Sequence, residues 1–119
     1  MNFHADIFPE NAPQRDYQEL YVRVAEQIRK DFHPFVEMEM LPESIGPDWL
    51  YQELKRMLTV LVEKHNQSLG SVIYRVDLTE KMVRSTMTGK GQEEKLDELT
   101  VLMLRREAQK VWIRHNYSG

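Results

Sequence analysis

The chain has 119 residues, 41% of them apolar and 29% charged, which suits one soluble domain with a core and neither a membrane-spanning nor a disordered composition. The absence of cysteine excludes a disulfide framework, thiol catalysis and cysteine-ligated metal centres. A net charge of −3 supplies no global basic field for nucleic acid.

No targeting pattern is visible. Residues Met1 to Asp6 lack the basic and apolar regions of a signal peptide. The longest purely apolar run, Val101 to Leu104, falls far short of the ~20 residues that span a bilayer. A cytoplasmic location with no membrane contact is therefore expected. Asn66-Gln67-Ser68 and Asn116-Tyr117-Ser118 match the glycosylation pattern, which without secretion is coincidence.

Residues 1–14 carry Pro9 and Pro13 and no periodicity, so they read as an extended N-terminal arm that packs down through Phe3, Ile7 and Phe8. A first helix is predicted over Arg15 to Phe32, because Tyr17, Leu20, Tyr21, Val24, Ala25, Ile28 and Phe32 share one face. Pro34 ends it. Residues 35–40 then alternate like a half-buried strand, and the one candidate partner is Val72 to Leu78. Two isolated strands are only marginally stable in water. A loop at 33–47 and a short helix around 69–78 are the preferred reading. The alternative is an α+β fold with a two-stranded ribbon from 35–41 and 72–78.

A second long helix is predicted over Asp48 to Asn66, with Leu50, Tyr51, Leu54, Met57, Leu58, Leu61, Val62 and His65 as its apolar stripe and Asp48 as its cap. Asp77-Leu78-Thr79-Glu80 reads as a capping box, with Asp77 as N-cap, opening a short helix to Met87. Thr88-Gly89-Lys90-Gly91 stops that helix. The last helix runs from Gln92 to about His115, acidic at its start and basic at its end, in line with the helix dipole. The expected fold is all-α, an irregular bundle of three long helices plus one or two short ones, in a single domain over 1–119.

Candidate chemistry is sparse. His65 lies on an apolar stripe, but no second ligand stands at a spacing that would complete a metal site. It is expected to complement the helix C-terminus with its ring packed on the core. Glu37, Glu39 and Glu43 cluster in the irregular segment, where carboxylates can form acid–base pairs, although such spacing more simply faces water. Thr88-Gly89-Lys90-Gly91 lacks the glycine and hydroxyl positions of a phosphate loop and reads as a linker. No catalytic, cofactor-binding or metal residues are assigned, and no cofactor is expected.

Charge is unevenly spread. Residues 1–54 hold 4 basic and 11 acidic side chains, net −7, while residues 55–119 hold 12 and 8, net +4. The last helix is apolar all round near 101–104, which makes it either a central helix or one shared between the core and a second surface. Arg106, Lys110 and Arg114 recur every four residues as a basic stripe, with Trp112, Leu104 and Val101 on the far side. The stripe is expected to meet acidic groups of the first half, and Trp112 to contact another chain or the N-terminal arm. The functional expectation is a non-enzymatic protein-interaction or assembly module, homodimerisation being one form of it. A small enzyme or ligand-binding protein is the first alternative, with a site in 33–47 and 68–78 near Met38, Met40 and Tyr74. Weak nucleic-acid binding through the C-terminal helix is the second.

Overall fold

All secondary structure among the described residues of a computed structural model, namely Ile7, Phe8, 16–88 and 91–117, is helical. The N-terminal arm and the Gly89-Lys90 part of the linker otherwise lie outside the described residues. The first apolar stripe becomes α1, Tyr17–Phe32, which buries Leu20, Val24, Ala25, Ile28 and Phe32. The second becomes α2, Pro47–Lys64. Its N-cap is Gly46, with Pro47 in the first turn. Asp48 therefore does not cap α2; it lies one residue inside, where its charge favours the dipole without bonding a free N–H. The buried stripe ends at Leu61, for α2 stops at Lys64 and a 3-10 turn at Asn66–Ser68 redirects the chain. Val62 and His65 are exposed, so the expected packing of the His65 ring on the core does not occur.

The ribbon is not formed. Residues 69–76 are a helix, α3 (Leu69–Val76), which buries Val72 and Val76 at a four-residue spacing. Residues 37–42 run as irregular chain whose backbone groups are met by side chains in place of a strand ladder. Glu53 Oε2 accepts the Glu39 N–H at 2.7 Å, and Arg56 donates to the Glu37 carbonyl at 2.9 Å. Farther along the same connection, the Gln18 amide both donates to and accepts from the backbone of Ile45, at 2.9 and 2.8 Å.

Asp77 adopts a left-handed conformation (φ 72°) and closes α3, its N–H donating to the Ile73 and Tyr74 carbonyls. The capping role expected of Asp77 falls instead to Thr79, whose Oγ1 accepts the Met82 N–H at 3.1 Å at the start of α4, Glu80–Met87. A helix end and a helix start share this tetrapeptide, so the N-cap falls at Thr79, two residues beyond Asp77.

The longest helix, α5 (Gln92–Tyr117), packs against α1, α2, α3 and α4. Leu99, Thr100, Met103, Leu104, Glu107, Ala108 and Val111 form its buried strip. Its apolar girdle reflects this central position, with Val101 and Leu102 half-buried against the outer edge of the core. Ile7 and Phe8 are buried, and the Phe8 ring lies 6.1, 5.5 and 6.4 Å from those of Tyr17, Tyr21 and Trp112. Among the described residues no helix is long and apolar enough to cross a membrane.

Candidate functional site

Asp31, Glu53 and Glu107 interrupt the apolar stripes of α1, α2 and α5, and the fold brings the first and the last together. Asp31 lies among Val24, Ile28 and Phe32 near the end of α1; Glu107 lies among Met103, Leu104 and Val111 of α5. Asp31 is 5% exposed and Glu107 is fully buried. Lys110 serves both. Its Nζ stands 3.0 Å from Asp31 Oδ2 and 2.8 Å from Glu107 Oε1, and it donates to the Arg75 and Val76 carbonyls at 3.0 and 3.3 Å. Those carbonyls end α3, so the ammonium also meets the negative end of a helix.

One ammonium neutralises one carboxylate, and two buried anions around it would leave an unbalanced charge in a medium of low polarity. Burial therefore pushes the Glu107 carboxyl up to about 9, with Asp31 beside it adding to the rise. Neither Glu107 oxygen accepts a hydrogen bond, despite the short approach to Lys110. The raised value keeps the carboxyl protonated at neutral pH, so Lys110 is balanced by Asp31. The other Asp31 oxygen accepts from Gln27 at 3.0 Å, and Gln27 accepts from Arg114 at 2.7 Å. A polar chain thus runs from Arg114 through Gln27 and Asp31 to Lys110.

This chain floors an open cleft between α1, the end of α3 and α5, lined by Gln27, Lys30, Asp31, Arg75, Asp77, Lys110 and Arg114, with a volume of about 520 Å³. Arg75 is held in place there: Nη1 donates to the His33 carbonyl, and the guanidinium carbon sits 5.4 Å from the centre of the Phe35 ring.

A second concavity lies on the other side of α5. Ile7, Phe8, Met82, Leu102, Trp112 and Ile113 form an apolar groove of about 550 Å³, edged by Arg105, Arg106 and Gln109. Met82 and Ile113 remain 39% and 43% exposed, a large fraction for apolar side chains lining a recess.

The residues singled out on the last helix separate accordingly. Leu104 is fully buried and belongs to the core, not to a surface, and Val101 packs against the core's edge. Trp112 faces the groove and stacks obliquely on Phe8. Of the basic stripe, Lys110 meets Asp31 from the acidic half; Arg106 pairs instead with Asp77, from the basic half; and Arg114 donates to the neutral Gln27. The acidic cluster does not converge: Glu39 comes within 3.9 Å of Arg56, the Glu37 carbonyl takes a bond from Arg56, and Glu43 is exposed. Met38 is half-buried, Met40 and Tyr74 are exposed, and 69–76 is a regular helix rather than an irregular segment. Among the described residues no group of three or more His, Asp or Glu side chains is arranged to hold a metal ion. Asp31, Glu107, Gln27 and Arg75 were missed. The signal available for the first two was a lone acid at a core position of each stripe.

No protein-family model, curated protein or solved structure matches the chain.

Proposed function

We propose that this chain is a non-enzymatic protein-interaction module whose groove between α4, α5 and the Ile7–Phe8 segment takes an acidic, apolar-anchored segment of a partner protein. The observation that carries this reading is the groove itself. It offers large apolar side chains at partial exposure around Trp112, the residue type most enriched in binding hot spots. Arg105 stands at its edge, beside Arg106, whose charge Asp77 already takes. A guest with one or two large apolar side chains, flanked by Asp or Glu, would match both floor and rim. Charge also argues against a second copy of this chain as the guest. A two-fold contact through the groove would bring two copies of the Arg105 rim together with no carboxylate in the lining to offset them.

Selection from a displayed library of random 16-residue peptides tests the reading. The expected winners carry large apolar residues among acidic ones, and lose binding to Trp112→Ala or Ile113→Asp while each variant keeps its helical circular dichroism. Winners that bind these variants equally well would overturn the proposal. So would a dimer by analytical ultracentrifugation that Ile113→Asp dissolves, since the groove would then be self-occupied.

A further inference from the structure

Ile7 and Phe8 are 9% and 3% exposed, as withdrawn from water as much of the helical core, yet they belong to none of the helices. Among the described residues no main-chain hydrogen bond joins either of them to a helix. Their side chains hold them. The Phe8 ring is surrounded by those of Tyr17 and Tyr21 on α1 and Trp112 on α5, tilted against all three. The same two residues form one wall of the groove, and its apolar lining continues past them to Met82 and Ile113. An aromatic and an aliphatic side chain seated on a partner's rings is how a short peptide anchors itself.

Composition points the same way. In sequence the two residues stand in Asp6-Ile7-Phe8-Pro9-Glu10, two large apolar side chains bracketed by acids. That is the pattern which an apolar floor with Arg105 at its rim selects. Pro9 and Pro13 bring no backbone donor and oppose a helix that would fuse the segment to α1. Burial of two side chains must also offset the ordering of the chain that carries them, so the net hold is small beside that of a whole helix packed on the core. A guest with the same anchors can displace it.

We propose that the aromatic surface of Tyr17, Tyr21 and Trp112 beneath Phe8 is the docking site itself, and that its guest is a segment of another protein with the order acid, aliphatic, aromatic, acid. The chain's own Ile7 and Phe8 are then a resident copy, which the guest displaces. This rests on the groove reading above and narrows it: the guest's aromatic anchor takes the place of Phe8 and does not merely pack beside it. The resident copy has the advantage of its tether, since a short linker holds a segment near its site at an effective concentration on the order of millimolar. A free second copy of the chain brings only the same anchors and no tether. A different protein can overcome that advantage by reaching Met82 and Ile113 as well, which the resident segment leaves 39% and 43% exposed.

Fluorescence anisotropy of a labelled synthetic peptide with the sequence of residues 4–12, titrated with the full chain and with its Phe8→Ala variant, tests this. The variant should bind the peptide at least about tenfold more tightly, because a site occupied by its own segment about nine-tenths of the time shows a guest about a tenth of its intrinsic affinity. The peptide carrying Phe8→Ala should not bind, and Trp112→Ala added to the Phe8→Ala chain should abolish capture. Peptides selected from the random library should likewise gain affinity in Phe8→Ala. A wall has the opposite sign: if Phe8 lines the site without occupying it, its truncation weakens every guest that packs on it. Ile7→Ala, the milder truncation, should tighten binding by a smaller factor and keeps the test valid if Phe8→Ala loses its helical circular dichroism. No capture of the 4–12 peptide by either folded variant would overturn the inference. Library peptides that depend on Trp112 yet are unchanged or weakened by Phe8→Ala would overturn it too, and would leave the groove reading standing.

Discussion

Lys110 Nζ lies 3.0 Å from Asp31 Oδ2, a contact that closes 79 residues of sequence and ties the end of α1 to the middle of the C-terminal half of α5. Both side chains are largely withdrawn from water, 12% and 7% exposed. Pairs of this kind contribute little net stability when intact, because desolvation opposes attraction, yet losing one partner strands the other. Lys110→Met keeps the aliphatic stem and removes the charge. It should lower the unfolding free energy by about 3–5 kcal/mol, measured by urea denaturation. Adding Asp31→Asn to it should restore part of that loss, because the stranded anion is then gone. A loss below about 1 kcal/mol in Lys110→Met would mean that water reaches the pair.

The core makes a simpler demand. Leu58 is fully buried on α2, within the stripe that faces the other helices. Leu58→Ala should cost about 2–5 kcal/mol, the lost transfer energy of the methyl groups adding to a cavity term. A cost under about 0.5 kcal/mol in the same denaturation measurement would place that stripe in solvent.

The apolar periodicity of α1 and α2 was legible from Leu20, Ile28, Leu54 and Leu61, because a repeat near 3.6 residues has one simple structural meaning. Cap positions were less so. Asp48 and Asp77 both looked like N-caps, but Pro47 occupies the first turn of α2, and a left-handed Asp77 closes α3. Capping depends on one residue's backbone angles, which neighbouring residue types do not determine. The buried cluster was the least legible. Asp31 and Glu107 lie 76 positions apart on helices whose relative rotation follows from packing the whole bundle, and nothing local shows that two acids and Lys110 meet. The Trp112 face was visible as apolar, but its contact with Phe8 depends on where the chain before α1 lies.

The helix α4 is held differently from the rest. It has no buried residue, and Thr79 caps its first turn through Oγ1. Thr79→Ala should cost about 1 kcal/mol, the usual worth of a cap whose N–H partner is left to water. The loss should be concentrated in α4. Hydrogen exchange should speed up at Met82 and Val83 while Leu58 and Leu104 keep their protection, since weakly packed elements open locally. Equal acceleration across the core amides would show α4 to unfold only with the whole chain.

Glu107 gives the chain an unusual pH dependence. Its carboxyl has an ordinary value of 4.5 when unfolded and about 9 in the fold, raised by burial and by Asp31 from α1, against the opposing pull of Lys110 on α5. Between those limits the folded chain holds a proton that the unfolded chain has released. Rising pH therefore favours unfolding, and this group's contribution is fully present below about 4.5 and lost by about 9, with a slope approaching about 1.4 kcal/mol per pH unit between. Asp97, lowered by hydrogen bonds from Lys55 and Tyr51, acts oppositely: its contribution disappears as pH falls through the acid range below 3.8. The two together place the stability maximum in mildly acidic solution. Glu107→Gln substitutes a neutral group of the same shape and leaves Lys110 balanced against Asp31 alone. Chemical denaturation at pH 5, 7 and 9 should show wild-type stability falling steadily across this range, while the variant stays nearly flat and overtakes it by about pH 8. A variant with the wild-type slope would mean that the proton taken up on folding resides on another group.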